Sequence, residues 1–243
     1  LIRVEETTPV TGRTIEGVRA LGKHLIIDFS GDLSLRTHML MNGSWHIYRP
    51  GERWQKSRRS MRVLLATDDF VAVAFDVTVA DFASGRALER NEQLRQLGPD
   101  VLSEKFDLED ALGRVRSRAD QEIGNVLLNQ RVLSGIGNVY KSELLYLCGV
   151  HPFSLVEHLT DEAIRCLINK GRLLLRTNVD RADGGRLTRS ALQRSEQLWV
   201  YGRKGKPCRK CGAAIEMRRQ GADARVTFWC PRCQAGSDRD DAR

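Results

Sequence analysis

The chain has 243 residues, 41% of them hydrophobic, and a formal net charge of +8. That length suits one large or two modest domains with a real core, and no apolar run approaches the roughly 18–20 residues that a bilayer-spanning helix needs. A basic balance favours a polyanionic partner.

Leu1-Ile2-Arg3-Val4-Glu5-Glu6 carries acids early and has no apolar stretch behind a basic start, so it reads as the inside of a domain rather than as a secretory leader. The expectation is a cytoplasmic, nucleoid-associated protein whose first segment lies upstream. From Thr14 to about Val79 the pattern is β. His24–Phe29 is a strand candidate, followed by the turn Ser30-Gly31-Asp32 and the partly alternating Leu33–Met39. Met61–Ala66 and Phe70–Phe75 flank a Thr67-Asp68-Asp69 turn. Short strands with turn signals at this spacing predict a sandwich or barrel.

After Gly98-Pro99-Asp100 the period becomes helical. Asp107 caps a helix with Glu109 and Asp110 in its first turn. Ile123, Val126, Leu127 and Gln130 fall on one helical face of the next segment. A helix restarts at Asn138, runs through Cys148 and ends at Gly149. Thr160, with Asp161 and Glu162 behind it, opens another that runs to about Arg176. Residues 178–193 are polar, contain Gly184-Gly185 and read as a loop, and the charged stretch 237–243 reads as a disordered tail. Cys148 and Cys166, in apolar helical surroundings, read as buried thiols.

Cys208-x-x-Cys211 and Cys230-x-x-Cys233 are separated by eighteen residues. Each pair sets two sulfurs on a tight knuckle, and an intervening hairpin brings the pairs together. Four thiolates make a closed tetrahedral site for one Zn²⁺, so the metal is expected to be structural. Between 203 and 219, Arg203, Lys204, Lys206, Arg209, Lys210, Arg218 and Arg219 face one acid, Glu216. This is the footprint of a phosphate-binding face, or a solvated basic surface. Arg225, five residues before Cys230, would sit at the tip of a metal-stiffened hairpin, where a guanidinium can reach a phosphate bidentately. Its plain alternative is an exposed arginine.

Between two helices lies Ser134-Gly135-Ile136-Gly137-Asn138-Val139-Tyr140. Glycines 135 and 137 permit backbone conformations that side chains forbid. The following helix start offers amide groups and a positive dipole end to a phosphate, and Asn138 could cap that helix or donate to the phosphate itself. Standing alone, the segment is also an ordinary helix–turn–helix corner.

A β-rich start, the helical Ser134-Gly135-Ile136-Gly137-Asn138-Val139-Tyr140-Lys141-Ser142-Glu143 and a terminal four-cysteine ribbon with arginine on its hairpin follow one another in that order. Together they resemble the formamidopyrimidine-DNA glycosylase / endonuclease VIII family over nearly the whole chain. The resemblance implies an α+β multidomain protein: an N-terminal β-sandwich over 1–88, incomplete because its first segment is missing; a helical helix–two-turn–helix domain over 89–190; a zinc ribbon over 191–236; and the tail 237–243.

It also implies a base-excision repair DNA glycosylase with AP lyase (β,δ-elimination) activity on oxidised bases. Its partner would be double-stranded DNA with damaged bases or abasic sites, bound by a monomer. Gly22-Lys23-His24-Leu25 resembles the family's lysine hairpin, so Lys23 would contact phosphate beside the lesion. Asn138 and Arg225 match the asparagine of the helical turn and the ribbon arginine. Met41, in His38-Met39-Leu40-Met41-Asn42-Gly43, matches the void-filling loop, where an apolar wedge replaces the flipped base. The family's terminal proline nucleophile and its following glutamate have no counterpart here. Pro9 is an internal tertiary amide, and the chain as given is expected to be inactive. Residues 178–193 do not resemble a purine-reading loop, which favours oxidised pyrimidines over purines. The alternative is a non-catalytic zinc-ribbon DNA-binding protein.

Overall fold

The computed structural model describes residues 10–40, 42–179, 188 and 198–235. Met41, most of the expected 178–193 loop and the expected disordered tail 237–243 lie outside the described residues. The chain divides into two compact units, 1–96 and 97–243. Among the described residues no helix is long and apolar enough to cross a membrane.

The first unit is built of two antiparallel sheets. One has the order β1-β2-β3-β7, from β1 (Ile15–Leu21), β2 (His24–Phe29), β3 (Leu33–His38) and β7 (Val79–Ala83). The other has the order β4-β6-β5, from β4 (Ser44–Tyr48), β5 (Met61–Ala66) and β6 (Val71–Phe75). Alternation along β2 and β3 sends Ile27, Phe29, Leu33 and Leu35 into a core shared with Leu65 of β5. Two short helices close the unit, α1 (Gly85–Glu89) capped by Ser84 and α2 (Glu92–Arg95) capped by Asn91.

The second unit carries α3 (Leu108–Arg116), α4 (Ile123–Leu128), α5 (Asn138–Leu147), α6 (Asp161–Val179) and the hairpin β8 (Glu216–Gln220) with β9 (Arg225–Trp229). Asp107 caps α3 as expected, accepting from the Glu109 amide at 2.8 Å and the Asp110 amide at 3.2 Å. α6 outlasts its expected end because Thr177 and Asn178 donate back to the carbonyls of Leu173 and Leu174 at 2.9 and 2.7 Å, which lets polar residues continue the helix. Two hydrophobic clusters meet along α5. Leu144 and Leu145 join Ile123, Leu127, Ile136, Ile164 and Leu167, while Tyr146 joins Val200, Ile215 and Phe228 of the ribbon side. With apolar partners on both sides, α5 is buried from Tyr140 to Tyr146.

Two expectations are corrected here. Gln130 lies beyond the end of α4; its amide instead builds the turn, donating to Leu128 O at 2.8 Å and Ile136 O at 3.0 Å and accepting from the Gly135 amide at 3.0 Å. Cys148 and Cys166 are not separate thiols but a disulfide, Cα–Cα 6.0 Å, joining the end of α5 to α6. Each sits in an apolar helical stretch that reads as core, and only the packing of α5 on α6 brings the pair within bonding reach.

Candidate nucleic-acid interface

The sulfurs of Cys208, Cys211, Cys230 and Cys233 all lie within 4.8 Å of one another. Cys208 Sγ is 3.8 Å from Cys233 Sγ, and Cys211 Sγ is 3.5 Å from Cys230 Sγ. Four ligands at about 2.3 Å from a tetrahedral zinc stand about 3.8 Å apart, so this cluster fits the ion. The knuckle amides turn toward the sulfurs: Lys210 N is 3.5 Å from Cys208 Sγ and Cys233 N 3.4 Å from Cys230 Sγ. All four positions are cysteines, which makes a closed structural site rather than a catalytic one.

Arg225 opens β9, facing Gln220 across the hairpin, and is exposed. Its strand is held to α5 by three successive residues. Asn138 Nδ2 donates to Val226 O at 2.9 Å, Lys141 Nζ to Thr227 Oγ1 at 2.6 Å, and the Phe228 amide to Ser142 Oγ at 3.3 Å. Residues 138, 141 and 142 share one helical face by their spacing. Helical turn and zinc hairpin are therefore one surface with a fixed register.

The turn before α5 needs one of its two glycines for conformation. Gly135 sits at φ +105°, and an added Cβ would stand 3.0 Å from Val101 Cγ2. Gly137 is extended at φ −115°, ψ 177°, a conformation open to any residue. It is also the N-cap of α5, and it offers no side-chain cap. Asn138 is the first helical residue and caps nothing, so that part of the expectation fails: its amide reaches sideways to the hairpin. An amide nitrogen carries two hydrogens, and one is committed to Val226. The early amides of α5 have no intrahelical acceptor and lie at the positive end of the helix.

The basic run is less uniform than its sequence. Arg203 is structural, donating to the carbonyls of Trp199 and Pro207. Arg218 stacks 3.6 Å above the Phe153 ring, and Arg219 donates to Ala224 O at 3.1 Å. Lys204, Lys206 and Lys210 are exposed. Sequence reasoning missed Glu143, which is fully buried. Its carboxylate accepts the amides of Trp199, Val200 and Tyr201 at 2.8, 2.9 and 2.9 Å and the Thr188 hydroxyl, fixing the segment that leads into the ribbon.

In the first unit, Lys23 is the second residue of the two-residue turn joining β1 to β2 and is half-buried. Behind it, His24 of β2 pairs with His38 of β3, ring centroids 4.6 Å apart. Burial, then the neighbouring His38 and Arg36, lower His24 to about 4. Burial, Lys23 and Arg36 hold His38 below its usual range. Lys23 thus crowns a small cluster of positive and neutral-imidazole groups. Leu40, next to Met41, is 57% exposed.

Residues 3–83 match the formamidopyrimidine-DNA glycosylase N-terminal domain, 97–190 the formamidopyrimidine-DNA glycosylase H2TH domain, and 205–236 the zinc finger found in FPG and IleRS. The chain is 40% identical to the probable endonuclease 8 2 of Streptomyces coelicolor over 95% of its own length and 82% of that protein's. It is 34% identical to the DNA-(apurinic or apyrimidinic site) lyase Nei2 of Mycolicibacterium smegmatis, covering 95% and 86%. Lactococcus lactis Fpg, solved in complex with abasic-site DNA, superposes with a TM-score of 0.78 at 27% identity, covering 93% of this chain and 84% of that one. β-sandwich, helical two-turn domain and four-cysteine ribbon agree with these matches segment by segment, and the chain belongs to the formamidopyrimidine-DNA glycosylase / endonuclease VIII family of DNA repair glycosylases.

Proposed function

We propose that this protein is a base-excision DNA glycosylase that also cleaves at abasic sites by β,δ-elimination, with oxidised pyrimidines preferred to purines. The seam of α5 against β9 carries the proposal, because it sets Asn138, the α5 amides and Arg225 on one cationic surface. The names borne by the Streptomyces and Mycolicibacterium relatives favour the endonuclease VIII branch and lyase chemistry.

In this reading Lys23, Asn138 and Arg225 contact the sugar–phosphate chain on either side of an everted nucleotide, and Met41 fills the gap in the stack. The four cysteines hold one zinc, which stiffens the hairpin and takes no chemical part. In the family chemistry a terminal secondary amine attacks C1′. The base leaves with the glycosidic electron pair, and the iminium so formed acidifies the C2′ proton, so that the 3′ and then the 5′ phosphate departs. Pro9 is an internal tertiary amide without a nucleophilic lone pair and does not match the terminal proline of that chemistry.

Binding of this chain to a duplex with a tetrahydrofuran abasic analogue is expected to exceed binding to the intact duplex at every salt concentration. Equal affinity for both would favour the non-catalytic DNA-binding alternative. Borohydride trapping on abasic DNA tests the covalent step in a protein beginning with Pro-Glu.

A further inference from the structure

Beneath the α5–β9 seam lies an ammonium group removed from water. Lys141 is 0% exposed. Its Nζ donates to Thr227 Oγ1 at 2.6 Å, that hydroxyl donates to Gln220 Oε1 at 2.8 Å, and Gln220 Nε2 donates to Glu122 Oε2 and Pro152 O, each at 2.8 Å. Gly124 makes room for this chain of bonds, since a Cβ there would stand 2.4 Å from Gln220 Oε1. The carboxylate of Glu122 is thus relayed to the ammonium through two neutral side chains. Among the described residues no acid forms an ion pair with Lys141.

A buried cation without a direct counter-ion costs several kcal/mol and is usually replaced or neutralised. Here a second cation adds to that cost. Arg225 and Thr227 are two apart on β9 and project to the same face of the strand. Burial first, then the charge of Arg225, push Lys141 down to about 8, while Glu122 offsets only part of this. These are the charged groups acting on it from the elements packed around it; Gln220 of β8 and Thr227 of β9 are neutral. The exposed Arg225 and the fully buried Lys141 thus meet at Thr227, one two residues away along β9 and the other hydrogen-bonded to its hydroxyl.

We propose that Lys141 is a buried positioning residue of the DNA phosphate site, anchoring β9 and hence Arg225 through Thr227 while its charge awaits the arriving phosphate. This rests on the reading of the α5–β9 surface as DNA-binding. A phosphate held by Arg225 cancels the repulsion between the two cations, so Lys141 gains proton affinity on binding and the complex takes up protons near pH 8.

Calorimetric titration of the whole chain with the abasic-analogue duplex at pH 8, in two buffers of different ionisation enthalpy, reads this uptake. In the wild type, on the order of half a proton per duplex is expected. Lys141→Met is expected to lose it and to bind about fivefold more weakly, whereas Thr227→Val keeps the ammonium and the uptake but loses affinity. Arg225→Ala, at an exposed position, retains the fold and lowers the uptake, because Lys141 is then already protonated in the free protein; this variant keeps the test decisive where Lys141→Met does not fold. Other groups titrating near pH 8 cancel in these differences. Equal uptake in the wild type and Arg225→Ala would overturn the proposal while leaving the DNA-binding reading intact. Absence of wild-type binding would overturn both.

Discussion

The side-chain nitrogen of Asn138 donates to the main-chain oxygen of Val226 at 2.9 Å, tying the first residue of α5 to the strand that follows Arg225. The Asn138 oxygen is buried without a partner, so the residue acts here as a donor. Asn138→Ala leaves the Val226 carbonyl without this donor and is expected to cost about 1–2 kcal/mol. Asn138→Asp is expected to be worse for DNA binding, because a carboxylate cannot donate and repels phosphate. Thermal denaturation and fluorescence anisotropy on the same two variants separate the effects.

Arg225 lies outside the zinc shell and is exposed. Arg225→Ala should retain zinc and melting temperature but bind abasic-analogue DNA about tenfold more weakly. The slope of log affinity against log salt should shrink by about 0.9 for each phosphate that the variant no longer neutralises. Arg225→Lys should keep the slope yet recover only part of the affinity, since an ammonium cannot make the planar two-point contact. An unchanged slope in Arg225→Ala would remove it from the interface.

Much of the frame is legible in the order of residue types. β2 and β5 occur where His24–Phe29 and Met61–Ala66 predict them, and Asp107 caps the helix it announces. The ribbon is read from its two Cys-x-x-Cys pairs because a local spacing rule defines it. What stays illegible depends on partners distant in sequence. Lys141 and Glu143 are charged residues that by type belong in water, yet Lys141 bonds Thr227 of the hairpin, Glu143 takes the amides of the segment before the ribbon, and both are fully buried. Cys148 and Cys166 each read as core, and no local pattern announces their bond. Asn138 presents the same difficulty: it resembles a cap until the hairpin, eighty-eight residues on, claims its amide.

Glu143 accepts three consecutive amides, from Trp199 to Tyr201. Glu143→Gln keeps the volume but turns one acceptor into a donor facing N–H groups. A loss of about 2–4 kcal/mol is expected from the unsatisfied buried bonds. Zinc content should be unchanged, as none of the four cysteines depends on this carboxylate. A melting temperature equal to that of the wild type would show that the segment before the ribbon needs no such anchor.

Cys230 directly follows β9, so a metal on the four sulfurs would hold the strand at one end as α5 holds it along its length. Cys230→Ser is expected to abolish zinc binding and unfold the ribbon, and chelation should weaken DNA binding at least as much as Arg225→Ala. Metal analysis of the purified chain should return one zinc, falling to none in the variant. Stoichiometric zinc in Cys230→Ser would contradict a four-thiolate site.

The histidine pair behind Lys23 sets a pH limit on the first unit. His24 is lowered from 6.5 to about 4, chiefly by burial and then by His38 and Arg36. A histidine whose folded value lies below its unfolded one binds fewer protons in the fold than in the open chain, so stability falls as pH drops through that interval. The window here runs from about 6.5 down to about 4, with no further loss from this group below it. Since His24 is only half-buried, solvent screening limits the effect to on the order of 1 kcal/mol. Its Nδ1 is buried without a hydrogen-bond partner, so His24→Phe should preserve packing against His38 at neutral pH and flatten the acid limb. Urea denaturation at pH 7 and pH 4.5 reads both quantities. An acid limb as steep in His24→Phe as in the wild type would place the proton elsewhere, with His38 next to be replaced.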